Sequence, residues 1–170
     1  RYGIGEAGTA TSALAIGGTP PGGLTVNESW NGTSWTEVGD LNTGRFNLSG
    51  VGADNTAALA FGGVTTVRVG TTESWNGTSW SSVNPLSTAR SELAGAGTQP
   101  LALAFGGYTG TAPTGVTETW NGTSWTEVSD LNTARYEIAG SGAGTTTAAL
   151  GFGGYTGTAL TGATEEWDGT

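Results

Sequence analysis

Short runs of alternating large and small apolar residues recur along this chain. In Ala57-Ala58-Leu59-Ala60-Phe61, Leu59 and Phe61 alternate with Ala58 and Ala60. The pattern returns at Ala102-Leu103-Ala104-Phe105, at Ala149-Leu150-Gly151-Phe152 and, more weakly, at Ala13-Leu14-Ala15-Ile16. Alternation with a period of two predicts strands, because successive side chains leave opposite faces of a sheet. No window carries the apolar spacing of a helix.

Each run is followed by a second motif, Trp-Asn-Gly-Thr-Ser-Trp, at Trp30–Trp35, Trp75–Trp80 and Trp120–Trp125. Trp167-Asp168-Gly169-Thr170 is a partial fourth copy. The leading Trp recurs after 45, 45 and 47 residues, a period that marks a repeat architecture. Asn-Gly between Thr-, Ser- and Trp-rich runs predicts a two-residue type I′ hairpin, since both residues tolerate φ > 0. With Asn31-Gly32 as the turn, Trp30 faces Thr33, Ser29 faces Ser34 and Glu28 faces Trp35. Glu28, Trp30, Thr33, Trp35 and Glu37 then share one face, and Ser29, Ser34 and Thr36 the other. The sheet is expected to have one bulky face and one small face. It cannot bury itself alone, but it can stack head to tail on copies of itself, as the blades of a β-propeller do.

An Arg opens each unit, at Arg1, Arg45, Arg90 and Arg135. A Gly/Ala-rich first strand follows, as in Ser91–Gly97, thin enough for the crowded centre of a ring. The alternating run is the second strand, and the Trp motif supplies the third and fourth. The fold expected is all-β: one propeller, or a propeller fragment, of four-stranded antiparallel blades at about 1–44, 45–89, 90–134 and 135–170, the last incomplete. Antiparallel order places the loop between strands two and three at the same end as the link to the next unit. That loop varies most between copies: Thr19–Val26 (including Pro21), Val64–Gly70, Tyr108–Val116 and Tyr155–Ala163.

The net charge is −9, with 14 acidic residues against 5 basic ones. No basic patch exists for a phosphate backbone or an anionic membrane surface, so neither nucleic acid nor membrane insertion is expected. No apolar run approaches the ~18 residues of a spanning helix. There are 32 Gly and 5 Pro, close to disordered compositions, but 7 Trp and a fixed period argue against disorder. The chain has no Cys, His or Met. That removes disulfides, a Ser-His-Asp triad, a Cys nucleophile and the usual Zn or Cu ligand sets. No cofactor and no metal is expected. A start at Arg1 with no signal peptide in view suggests a piece of a longer protein.

Glu28, Glu73, Glu118 and Glu165 recur in step with the Arg residues. They suggest Arg–Glu pairs tying blade to blade, or Arg side chains capping carbonyls at the blade start; an anion site is the functional alternative. Trp30, Trp75, Trp120 and Trp167 are assigned to packing between blades, with sugar stacking as the alternative. Asp40, Asp130 and Asn84 in the links are expected to cap turns rather than bind Ca²⁺. Asn31, Asn76 and Asn121 match a glycosylation sequon but have a sufficient explanation as turn residues. The Gly-rich Gly140–Gly144 segment has no following Lys or helix and is no phosphate loop. Paired carboxylates for glycoside hydrolysis stay formally open, at ~5 or ~6.5–9.5 Å in a polar channel. The acids recur in register as scaffold residues do, so a non-enzymatic protein is expected.

An apolar strand ending in Gly-Gly, a Trp downstream and an Arg opening the next unit resemble kelch repeats, which form galactose-oxidase-like propellers. Thr-Glu-Ser-Trp-Asn-Gly-Thr-Ser-Trp with Leu-Asn-Thr-Ala-Arg resembles, more closely, kelch-like repeats in structural proteins of marine bacterial viruses. Trp stands where kelch repeats usually have Tyr before the hairpin. Galactose oxidase's copper ligands have no counterparts here. The resemblance implies a propeller and leaves function open.

The expected function is binding or structural, on a virion or in a secreted, extracellular assembly. Recognition of a glycan or protein receptor is placed at the variable loops: Pro20, Leu24, Thr65, Arg68, Tyr108, Thr109, Thr111, Tyr155, Thr156 and Leu160. A purely architectural module is the alternative. Exposed end blades would leave apolar patches, so the partner expected is a second copy or the rest of a longer propeller.

Overall fold

The computed structural model describes residues 1–20, 22–142 and 144–170; Pro21 of the first variable loop and Ala143 of the Gly-rich segment lie outside. The described residues form antiparallel sheets and no helix, arranged as a four-bladed β-propeller. The first blade is β1 (Gly5–Thr9), β2 (Ser12–Ile16), β3 (Asn27–Trp30) and β4 (Trp35–Val38). The second is β5 (Ser49–Asp54), β6 (Ala57–Phe61), β7 (Thr72–Trp75) and β8 (Trp80–Val83). The third is β9 (Ala94–Thr98), β10 (Leu101–Phe105), β11 (Thr117–Trp120) and β12 (Trp125–Val128). The fourth has three strands: β13 (Ala139–Gly140), β14 (Ala149–Phe152) and β15 (Thr164–Trp167). Each blade is a simple meander, with neighbours in sequence paired in space.

The hairpin at Asn31-Gly32 differs from the two-residue turn expected. Trp30 pairs with Trp35, Ser29 with Thr36 and Glu28 with Glu37, so four residues form the loop. Gly32 has φ 90° and Asn31 is not in the left-handed region. The Asn31 side chain instead accepts from the amides of Thr33 and Ser34, both at 2.9 Å. Asn76 and Asn121 do the same. This Asx turn gives the Thr33 and Ser34 amides one shared side-chain acceptor, and it stands in place of the tighter turn. The register moves by two, so the facing parity survives and the two indoles meet, with ring centroids 5.4 Å apart in Trp30–Trp35.

The expected division into a bulky and a small face is also corrected. Ala58 pairs with Trp75 and Ala60 with Glu73, while Leu59 pairs with Ser74 and Phe61 with Thr72. The large residues of the second and third strands therefore lie on opposite faces. Each face carries one bulky stripe and one small stripe, in complementary positions. Leu14 and Ile16 of the first blade pack over Ala58, Ala60, Trp75 and Trp80 of the second. Leu59 and Phe61 of the second pack over Ala102, Ala104, Trp120 and Trp125 of the third. Leu103 and Phe105 continue the pattern onto Ala149, with Trp167 partly buried beside them. Phe61 meets Trp125 edge to face at 5.0 Å. Each fully buried Leu or Phe contributes roughly 1.5–3 kcal/mol to these interfaces.

Backbone bonds stitch the blades at two further places. In the first three blades the second Gly of the pair that ends the second strand donates to the carbonyl of the next blade's Arg: Gly18 to Arg45, Gly63 to Arg90 and Gly107 to Arg135, each at 2.9 Å. Nearer the axis, Asn47 N donates to Gly3 O, Glu92 N to Asn47 O and Glu137 N to Glu92 O. Asn47, Glu92 and Glu137 hold φ of 52–57° to make these bonds, an uncommon conformation for non-glycine residues.

Among the described residues, nothing covers the outer faces of the first and fourth blades. Leu150 and Phe152 on the fourth blade are 42% and 43% exposed, and Trp35 on the first is 49% exposed, against 5% for Trp80 and 8% for Trp125.

Candidate functional site

The variable loops and the links share one rim, as the strand order requires. Leu41 N donates to Thr25 O and Asp40 accepts from the Thr25 hydroxyl at 2.9 Å. Within the third and fourth blades, the first loop residue is pinned by paired backbone bonds to the residue after the opening Arg: Tyr108 to Ser91 and Tyr155 to Tyr136. That pinning sets three phenol rings side by side. Tyr108 and Tyr136 lie 5.1 Å apart, tilted by 44°, and Tyr136 meets Tyr155 edge to face at 5.5 Å. Arg68 from the second blade extends the row, its guanidinium carbon 4.6 Å from the Tyr108 ring centroid. Cation–π and edge-to-face contacts of this kind fix ring orientation. All four side chains are half-buried, leaving an exposed edge along the rim. Partial burial, followed by the fields of Tyr155, Glu137, Glu92 and Tyr108, holds the Tyr136 phenol above its ordinary range.

Arg68, Tyr108 and Tyr155 are thus brought together, joined by Tyr136, which sequence reasoning passed over. The available signal was the aromatic that follows the opening Arg in three of four units: Tyr2, Phe46 and Tyr136. Thr109 and Thr156 flank the row but spend their hydroxyls locally. Thr109 bonds Thr111 at 3.2 Å and Ala112 O at 3.1 Å, and Thr156 bonds Thr158 and Ala159 O likewise. The Thr65 hydroxyl closes its own turn on Val67 O. Leu160 projects, 83% exposed. Pro20 is exposed and its carbonyl accepts from Gly23; Leu24 bridges the Arg45 backbone. Neither of these two is part of the aromatic row.

The recurring Arg residues are structural in geometry. Arg45 meets Glu73 at 2.5 Å and Arg90 meets Glu118 at 2.6 Å, with all four side chains fully buried. Arg135 meets Glu165 at 2.7 Å. The pairs lie within a blade, not between blades as first expected. The tie between blades runs through the link instead: Asn42 N and Nδ2 donate to Glu73 Oε2, and Thr43 N to Oε1. The carbonyl-capping role is present too, from Arg45 to Ala60 O, Arg90 to Ala104 O and Arg135 to Gly151 O. Burial pushes the Arg45 guanidinium below its ordinary range, and the bond and charge of Glu73 pull it back. Arg1–Glu28 repeats the pair at 2.6 Å on the open face, where Glu28 is 41% exposed.

Trp75 and Trp120 are buried between blades, whereas Trp30 and Trp167 are half-covered. Asp130 accepts from Thr117 N, and Asn84 reaches Thr123 O in the next blade at 2.8 Å. These link residues brace neighbouring segments rather than cap their own turns. The central cavity, about 830 Å³, is walled mainly by Gly, Ala, Thr and aliphatic residues, with Glu6 as its charged lining residue among those described. No protein-family model matches the chain, and no curated protein matches it.

Proposed function

We propose that this propeller is a divergent kelch-like repeat module that binds a glycan or protein receptor through its variable-loop rim, without catalysis. The observation that carries this reading is the row Arg68–Tyr108–Tyr136–Tyr155, contributed by three blades and half-exposed along one edge. Rigid phenol faces beside a cation offer stacking area at low entropic cost and suit the apolar faces of sugar rings. The absence of His and Cys, and the engagement of Glu73, Glu118 and Glu165 with Arg, support a non-enzymatic role. The repeat wording supports a virion-surface or tail-fibre-type location outside the cell. A glycan array with the wild-type chain and a Tyr136→Ala variant tests it: retention of a defined glycan set by the former and its loss in the latter is expected. Equal retention by both removes the rim from the reading.

A second reading, an architectural module with no ligand, is supported by the open end faces bearing Trp35, Leu150 and Phe152. It predicts ordered contacts between copies and no retained glycan.

A further inference from the structure

Four of the 5 Arg residues open the blades and pair with Glu28, Glu73, Glu118 and Glu165. Arg68 breaks that repeat. It closes the variable loop of the second blade by a bridge to Val64, where the third and fourth blades use Pro113 and Leu160. Among the described residues no carboxylate pairs with Arg68. Its Nε is enclosed and has no hydrogen-bond partner. A half-buried cation normally finds a counter-charge, because desolvation of a lone charge is costly. With 14 acidic residues in the chain, the missing partner is not explained by a shortage of carboxylates.

The group is nevertheless held in place. The bridge to Val64 fixes its backbone, and Val69 N donates to Gly63 O at 3.0 Å just beyond it. The guanidinium lies over the Tyr108 ring, 4.6 Å from its centroid, and beside Gly110 of the next loop. Stacking on a ring face spends none of the guanidinium's donors, which point outward in its own plane. The row is also polarised along its length. Glu92 and Glu137 act on the Tyr136 phenol, and Glu92 already accepts from Asn47 Nδ2 at 2.9 Å. An anion is therefore favoured at the Arg68 end, and uncharged apolar surface along the phenols.

We infer that Arg68 is an oxyanion anchor, and that the ligand of the rim is an acidic glycan. Its carboxylate or sulfate ester takes two parallel N–H bonds from the guanidinium fork, the strong geometry for such a group. The sugar ring that bears it lies along Tyr108 and Tyr136, with its apolar face toward the phenols. This inference rests on the rim reading above and narrows it from glycans in general to acidic ones.

The test presents the 170-residue chain with immobilised oligosaccharides of four kinds: uronate-bearing, the same uronates as methyl esters, sulfated and neutral. Retention of uronate-bearing or sulfated sugars over the esters and neutral sugars is expected, and it should weaken as salt rises. The acid that is retained identifies the source of the oxyanion. Arg68→Gln should lower that affinity about ten- to a hundredfold, and Arg68→Lys, which keeps the charge but loses the fork, should restore only part of it. The thermal midpoint of Arg68→Gln should stay near that of wild type, because no carboxylate of the fold depends on the guanidinium. Retention of neutral sugars that is equal in wild type and Arg68→Gln, yet lost in Tyr136→Ala, overturns this inference and leaves the rim reading standing. No retention of any sugar by wild type removes the rim reading and this inference with it. Displacement of the bound acidic sugar by capped hexaglutamate at equal or lower concentration overturns the glycan assignment in favour of an acidic protein segment.

Discussion

Replacing Glu73 by Gln separates the buried ion pair from mere shape. Glu73 is fully buried and accepts from Asn42 N at 2.7 Å, Asn42 Nδ2 at 2.8 Å, Thr43 N at 3.2 Å and Arg45 Nη1 at 2.5 Å. Every partner is a donor. Gln fills the same volume but presents an NH₂ to two of them, so donors face donors. It also leaves Arg45 buried without its counter-charge, and breaking a buried pair from one side costs about 3–5 kcal/mol. For a chain of this size that lowers the thermal midpoint by roughly 6–20 °C. The chain carries its own control. Glu28 makes the equivalent bond to Arg1 but is 41% exposed, with no link donating to it among the described residues. Glu28→Gln should cost about 1 kcal/mol or less. The assay is thermal and urea unfolding of both variants, followed by circular dichroism and Trp fluorescence. Losses equal within about 1 kcal/mol would refute the argument that burial and the link donors, rather than the pair itself, set its importance.

Three further outcomes follow from the same geometry. Gly106 has φ +64°, and a Cβ there would stand 2.8 Å from Arg135 O, whereas Gly153, at φ +69°, has nothing nearer than Thr161 O at 3.8 Å. Gly153→Ala should cost the ~1–2 kcal/mol of left-handed strain alone and Gly106→Ala measurably more; equal melting shifts would refute the close-approach argument. Burial pushes the Glu165 carboxyl up, but bonds from Asn132 and Thr133 and the charge of Arg135 outweigh it and hold it below its ordinary range. A depressed acid stabilises the fold above its unfolded value of about 4.3 and loses that contribution as pH falls through the folded value. The difference in urea midpoint between wild type and Glu165→Gln should therefore shrink between pH 5 and 3; a widening gap would reverse the sign. Tyr108→Ala should lower retention of any glycan bound by the wild type about tenfold, measured by titration on the immobilised sugar, and unchanged affinity would take Tyr108 out of the site.

The architecture was legible because two independent periods agreed. Alternation within Ala57–Phe61 marked a strand, and the 45-residue return of Trp marked stacked units. The turn at Asn31 was misread because one residue type supports two competing solutions, a positive φ or a side-chain acceptor. The face assignment failed for a different reason. Each strand's parity was correct, but pairing Ala58 with Trp75 couples the parities of two strands, and that register depends on a connection of ten residues with no turn signature. The rim was legible as variable loops, yet not as a site. Tyr136 joins Tyr108 and Tyr155 only because backbone bridges pin distant segments together.

The corrected face pattern changes what holds the propeller together. With one bulky and one small face, either end of a stack would differ in kind, and one of them could stand in water unaided. With a bulky stripe on each face, both ends are apolar: Leu150 and Phe152 at one, Trp35 at the other. The two ends are the two halves of the interface that occurs between consecutive blades, where Leu59 and Phe61 meet Trp120 and Trp125. A head-to-tail contact that fits itself either closes into a ring or propagates. The acidic excess opposes propagation, since a net charge of −9 accumulates with every added copy. If copies of this 170-residue chain meet head to tail, closure would bury both ends once and propagation would not, and the dependence of the mass in solution on protein concentration distinguishes the two.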